Sequence, residues 1–190
     1  MNQASSARDR LAAIRSLTGT PVAVDPRRLP ADPVQLFLAW LDEAVAEGVP
    51  EPRAMTLSTV DGNGLPDSRV LILKDVSERG WAFASTASSR KGQQLANAPV
   101  AALGFWWQPM MRAVRVRGEV VAATARECAA DLGARSPAAR AEVDEQDWRL
   151  WYLRPNRVEH WQGSPDRRHT RIVDTRRGEG WRREVMTGSQ

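Results

Sequence analysis

Ala113-Val114-Arg115-Val116-Arg117-Gly118-Glu119-Val120-Val121 sets Val114, Val116, Gly118 and Val120 against Arg115, Arg117 and Glu119. Successive side chains of a β-strand point to opposite faces, so this period of two marks a half-buried strand of an antiparallel sheet. Upstream, Val100–Trp107 reads as another strand, separated by Pro99 from a short helix expected over 89–97. Residues 81–86 supply a further strand. Ala54–Val60 and 68–73 flank Asp61-Gly62-Asn63-Gly64, a tight-turn sequence that predicts a hairpin. Before the hairpin, Asp32 can cap a helix and Pro33 suits its first position. Val34, Phe37, Leu38, Leu41 and Val45 then recur at helical spacing as far as Gly48. Downstream, the Ala-, Arg- and Glu-rich stretch 124–147 predicts two helices around Pro137, and 157–162, 168–175 and 181–186 predict the last strands. The fold class is mainly β with flanking helices (α+β), and short strands with turn punctuation favour a barrel or sandwich. Residues 1–31, with prolines at 21, 26 and 30, predict a short helix and an extended arm that is mobile or partner-bound, which leaves 32–190 as the folded domain.

Composition narrows the function classes. The 190 residues suffice for one domain, 42% hydrophobic and 26% charged residues are ordinary for a soluble globular protein, and no apolar run approaches the roughly 18 residues of a membrane span. The single Cys128 cannot form an internal disulfide and the first ten residues lack a secretory apolar core, so a cytoplasmic setting is expected. A net charge of +4 and a pI near 10.1 suit anionic partners. The cations are dispersed along strands and no recognition motif for nucleic acid is present, which disfavours that partner. Almost all of the positive charge is arginine, and only Lys74 and Lys91 are lysines. A compact ammonium and a planar guanidinium act differently at a phosphate.

No CxxC pair, HExxH, GxSxG or Walker loop occurs, so zinc, serine-hydrolase and nucleoside-triphosphate chemistry lack support and no metal site is expected. Three segments place cations beside apolar strands. In Ser68-Arg69-Val70-Leu71-Ile72-Leu73-Lys74, Arg69 and Lys74 point to opposite faces of a regular strand and need not touch one ligand group. In Ser88-Ser89-Arg90-Lys91, two hydroxyls and two cations stand at a helix start, where free N–H groups and the helix dipole favour a phosphate. The third is Trp161-Gln162-Gly163 followed by Arg167-Arg168-His169-Thr170-Arg171.

Taken with Asp32-Pro33, Glu51-Pro52-Arg53-Ala54-Met55 and Val158-Glu159-His160, these segments follow the order of the motifs of the pyridoxamine 5'-phosphate oxidase family, and the chain resembles that family from about Leu29 onward. The resemblance implies a six-stranded antiparallel FMN-binding split barrel, a homodimer, and FMN at the subunit interface. It implies FMN contacts from Arg69, Val70, Leu71, Ile72, Leu73, Lys74, Ser85, Arg90, Lys91, Trp161 and Arg171, with Arg90 and Lys91 as the phosphate clamp. It implies substrate contacts from Lys74, Arg135, Arg167 and His169, with Arg167 and His169 as the catalytic pair above the ring. The activity it implies is that of an FMN-dependent oxidase in which a hydride passes from pyridoxamine or pyridoxine 5'-phosphate to the flavin, with oxygen as acceptor, in pyridoxine biosynthesis.

The chain departs from the family pattern on the substrate side. Ala113 follows Arg112 where the family has a glutamine that contacts the cofactor, and Asp131 and Ala139 fall where it has a tyrosine and a serine that hold the substrate phosphate. The stretch before Trp148 is short, and the N-terminal segment that closes over the substrate has no match in 1–28. Two other readings follow: the same oxidase chemistry on a non-phosphorylated, phenazine-type precursor, and a non-catalytic flavin-binding protein.

Overall fold

The computed structural model describes residues 6–188. After helix α1 (Ala7–Ala12), helix α2 (Pro33–Ala46) begins as its sequence requires: the Asp32 carboxylate accepts the Val34 N–H at 2.9 Å and Pro33 takes the first position. Leu36, Phe37, Trp40 and Ala44 form its buried face. The Phe37 ring lies 5.0 Å from Phe105, 6.1 Å from Trp107 and 5.8 Å edge-on from Trp81, so this helix plugs the sheet's concave side.

Among the described residues, nine strands form one antiparallel sheet: β1 (Ala54–Val60), β2 (Pro66–Ile72), β3 (Asp75–Ser77), β4 (Gly80–Thr86), β5 (Val100–Trp107), β6 (Arg112–Ala122), β7 (Trp148–Gln162), β8 (His169–Arg177) and β9 (Gly180–Gly188). Their order is β2-β1-β5-β6-β7-β4-β3, with β8 on β7 and β9 on β8. As the chain leaves β2, the Leu73 N–H donates to the Arg53 carbonyl at 3.0 Å and the Lys74 N–H to the Ala82 carbonyl at 2.8 Å, so the sheet curls back towards β4. The expected six-stranded barrel is the wall β2-β1-β5-β6-β7-β4. The count rises to nine because β3 continues the line of β2 and β8–β9 extend outward. Helices α3 (Arg90–Asn97), α4 (Ala125–Gly133) and α5 (Pro137–Ala141) complete the chain, the last two lying around Pro137 as expected.

Two sequence expectations need correction. The late strands start at Trp148 rather than at 157, because β7 serves two neighbours: 148–153 pair with β4 and 157–162 with β8. Leu150, Trp151, Tyr152 and Leu153 are buried in succession, so no alternation betrays this half of the strand. Pro155 sits opposite Gly118, where the β6–β7 register shifts. A β-carbon on Gly118 would overlap the Arg154 carbonyl, which is why glycine stands there. The N-terminal arm is also docked rather than mobile over part of its length. Val22, Val24 and Leu29 pack on the core, the Thr20 N–H donates to the Pro109 carbonyl at 2.8 Å, and Gln108 donates to Thr18 Oγ1 at 3.0 Å, so 18–29 is laid along the barrel. Residues 1–5 of the arm lie outside the described residues.

Charged groups fasten the plug and the outer strands. Arg112, 1% exposed, donates to Glu43 at 2.7 Å and Gln162 at 2.8 Å, with its guanidinium 4.2 Å from the Trp40 ring centre. Burial holds its pKa below the usual value, opposed by Glu43. Arg183 donates to the fully buried Asp174 at 2.8 and 3.1 Å and to the Pro30 carbonyl at 2.5 Å, which ties β8–β9 to the entry of α2. No helix among the described residues is long and apolar enough to cross a membrane.

Candidate functional site

The structure sorts the expected site residues into three groups. The first joins β2 to the start of α3. Arg69 donates to Thr59 Oγ1 at 2.5 Å and Gln94 Oε1 at 3.1 Å and pairs with Asp67 at 3.2 Å. The Asp67 carboxylate also meets Arg90 Nε at 2.9 Å and accepts from Gln94 at 3.3 Å. The Gln94 bond, seconded by Arg69 and Arg90, holds the Asp67 carboxyl below its ordinary pKa. Lys91 follows Arg90; burial, and then the nearby Arg69, push its ammonium below the usual lysine range. The two serines of this motif are already engaged. Ser88 donates to Asp147 at 2.5 Å through its hydroxyl, while Ser89 caps α3, accepting from Gly92 at 3.3 Å and donating to the Thr86 carbonyl at 2.6 Å. The cations and first-turn amides, rather than the hydroxyls, are what this helix start offers an anion.

Along β2 the register divides the apolar residues. Leu71 packs on the core and Leu73 is 4% exposed, so each can give a ligand little beyond its backbone. Val70 and Ile72 are 67% and 40% exposed and present side chains outward. Ser85, on β4 opposite Arg149, is buried. A phosphate fits the Arg69, Arg90 and Lys91 cations at the start of α3, while Val70 and Ile72 leave an apolar surface on the opposite, outward face of β2.

The second group lies where β2 gives way to β3. Lys74 Nζ meets Asp131 Oδ1 at 3.2 Å, and Asp131 Oδ2 accepts from Trp148 Nε1 at 2.9 Å. The Arg135 guanidinium lies 4.4 Å from the Trp148 ring centre. Arg69 and Lys74 thus serve different groups, as the strand geometry requires. Asp131 stands beside Lys74 at the position where the family has a tyrosine for the substrate phosphate, and its partners Lys74 and Trp148 come from the end of β2 and from β7, which only the tertiary fold brings to α4.

The third group belongs to β7, β8 and the turn between them. The Trp161 ring lies 4.8 Å from His169 and 6.1 Å from Trp106, which is 51% exposed. Its indole lies over Gly163, where a β-carbon would stand 2.8 Å from the ring. His169 Nδ1 accepts the Ser164 N–H at 3.0 Å, which leaves Nε2 to carry the proton of a neutral ring. Arg167 adopts a left-handed conformation with φ 64°, in a turn held by Asp166, which accepts from the Ser164 hydroxyl at 2.5 Å and the Arg168 N–H at 2.9 Å. Arg171 pairs at 3.3 Å with Glu159, a carboxylate 2% exposed that Arg115 and Arg157 also engage. On the hydrogen-bonded path, β1, β5 and β6 stand between β2 and β7.

Comparison with known proteins identifies the family. Residues 41–162 match the family model described as pyridoxamine 5'-phosphate oxidase, and 148–187 match the model of the pyridoxine 5'-phosphate oxidase C-terminal dimerisation region. The chain is 40% identical, over 83% of its length and 89% of the relative's, to pyridoxine/pyridoxamine 5'-phosphate oxidase of Pseudomonas paraeruginosa. With the protein of that name from Thermosynechococcus vestitus it is 36% identical, over 80% and 87%. Among solved structures, PhzG from Burkholderia lata in complex with tetrahydrophenazine-1-carboxylic acid superposes with a TM-score of 0.83 at 24% identity, covering 90% of this chain and all of that one. An FMN-binding protein from Nostoc punctiforme superposes with a TM-score of 0.67 at 18% identity, covering 88% and 100%. The two structures share the fold, and the sequence relatives and family models fix the lineage: the chain belongs to the pyridoxamine 5'-phosphate oxidase family of FMN-dependent oxidases.

Proposed function

We propose that this chain oxidises pyridoxamine or pyridoxine 5'-phosphate as a homodimer with FMN at the subunit interface, in the cytoplasm and within pyridoxine biosynthesis, with 32–190 as the flavin-binding domain and 1–31 as its N-terminal arm. The observation that carries this reading is the convergence of Arg69, Arg90 and Lys91 at the start of α3. FMN bound there would supply the hydride acceptor, with oxygen as the final electron acceptor. The chain's own residues bind and orient. Arg90 and Lys91 hold the phosphate, Arg69 adds a third positive charge beside them, and residues 70–74 with Ser85 line the ring. Trp161 and Arg171 enclose it from the other subunit. The pairing across subunits is supported by the separation of β2 from β7 in the sheet, by the match of 148–187 to a dimerisation region, and by the outward apolar residues Val70, Ile72 and Trp106. Arg167 and His169 position the substrate, with His169 Nε2 as the proton-bearing atom, and Lys74 and Arg135 face its anionic group.

A second reading, a non-phosphorylated carboxylate substrate of phenazine type, is favoured by one observation: Asp131 already neutralises Lys74 at 3.2 Å. Oxygen consumption with pyridoxamine 5'-phosphate, pyridoxine 5'-phosphate and reduced carboxylated aromatics separates the two. Consumption with the phosphorylated substrates supports the first reading, consumption with the carboxylates alone supports the second, and none with any of them leaves a flavin-binding protein without oxidase activity.

A further inference from the structure

Asp67 is a part-exposed carboxylate inside a group of cations. Its Oδ2 lies 2.9 Å from Arg90 Nε and 3.2 Å from Arg69 Nη2. The two arginines depend on it very differently. Arg69 is also held by Thr59, Gln94 and the carbonyls of Leu57 and Asp67, so it keeps its place whatever happens to this carboxylate. The Arg90 side chain is 75% exposed and its one ion pair among the described residues is with Asp67. Arg69, Arg90 and Lys91 carry three positive charges and Asp67 one negative, a net charge of two. Any anion reaching Arg90 at the start of α3 meets a guanidinium that already has a carboxylate partner, and the carboxylate then faces the incoming charge.

We infer that Asp67 is an internal competitor for the cofactor phosphate: it and the phosphate draw on the same arginines, so Asp67 weakens the binding of phosphorylated flavin and limits how strongly the site prefers it over the unphosphorylated form. The inference rests on the reading of Arg90 and Lys91 as the phosphate clamp. Asp67 is a specificity-determining residue here and takes no part in the redox chemistry. A brace for Arg69 would predict the opposite effect of its removal, and the four other acceptors around Arg69 argue against that role.

The test compares FMN and riboflavin on the purified holoprotein and on Asp67→Asn and Asp67→Glu. FMN dissociation constants come from flavin fluorescence on dilution, and riboflavin constants from titration after dialysis. Asp67→Asn keeps the size of the side chain and its ability to meet Gln94, and it should bind FMN about threefold to tenfold more tightly, the scale of two part-exposed ion pairs. Riboflavin should change less than twofold, and Asp67→Glu, which keeps the charge, should stay near the wild type. Unchanged or weaker FMN binding by Asp67→Asn, or an equal gain for riboflavin, would overturn the inference. If Asp67→Asn lowers the urea midpoint, Asp67→Ser is read by the same criteria. The wild-type preference for FMN over riboflavin tests the clamp itself. Its absence removes both readings, whereas its presence with no gain in Asp67→Asn removes only the role of Asp67.

Discussion

Lowering the pH from 7 to 5 should weaken this protein through one histidine. His160 on β7 is fully buried, 5.1 Å edge-on from Trp40, and neither ring nitrogen has a hydrogen-bond partner among the described residues. Burial first, and then the Arg183 and Arg112 guanidinium charges, lower its pKa from 6.5 to about 3. The folded state therefore keeps the ring neutral at pH 5, while the unfolded chain takes up a proton below pH 6.5. Stability is complete above 6.5 and is lost as the pH falls towards 3. At about 1.4 kcal/mol per pH unit, the 1.5 units between 6.5 and 5 remove about 2 kcal/mol. Asp174 acts in the opposite sense: burial raises its pKa despite Arg183, so its protonation on acidification favours the folded state. The comparison is therefore made between the wild type and His160→Gln, which shares every other group. Urea unfolding at a fixed protein concentration, at pH 7, 6 and 5, should give a gap that narrows by about 2 kcal/mol in favour of the variant by pH 5. Parallel pH profiles would refute the assignment of a neutral His160 in the folded protein.

Arg90→Ala with Lys91→Ala should weaken FMN by at least about 100-fold, since charge-assisted hydrogen bonds contribute roughly 1.5–3 kcal/mol each, with riboflavin affinity little changed in the same fluorescence assay. Asp131 opposes a substrate phosphate near Lys74 by as much as a few kcal/mol at an effective dielectric near 20, so Asp131→Tyr with Ala139→Ser should raise kcat/KM for pyridoxamine 5'-phosphate at least about tenfold with flavin content unchanged. Gly118→Ala should lower the urea midpoint sharply, by about 2 kcal/mol or more, because the added methyl meets the Arg154 carbonyl rather than a movable side chain; a midpoint within error of the wild type would show that the β6–β7 irregularity can relax.

The parts of the fold written in local chemistry were legible. Asp32 and Pro33 fixed the start of α2, Asp61–Gly64 the β1–β2 hairpin, and the valine alternation of 113–121 the strand β6. The first half of β7 was hidden because both its faces are buried, and β3 because three residues are too few for a period to show. In the site, the cations were visible as residue types at a helix start and a strand end. Their partners were not: Thr59, Gln94 and Asp67 reach Arg69 from β1, α3 and β2, and Asp131 reaches Lys74 from α4, contacts that only the tertiary fold creates. Local reading also left the hydroxyls of Ser88 and Ser89 open to a ligand, whereas Asp147 and the α3 cap take them up.

Passage of a hydride from a phosphorylated pyridoxine-type substrate to bound FMN is the reaction on which the proposed function stands. Mixing the purified holoprotein with pyridoxamine 5'-phosphate without oxygen tests it in one step. The visible flavin absorption should bleach at a rate that rises with substrate and return when oxygen is admitted. Flavin that stays oxidised with saturating pyridoxamine and pyridoxine 5'-phosphates would contradict it.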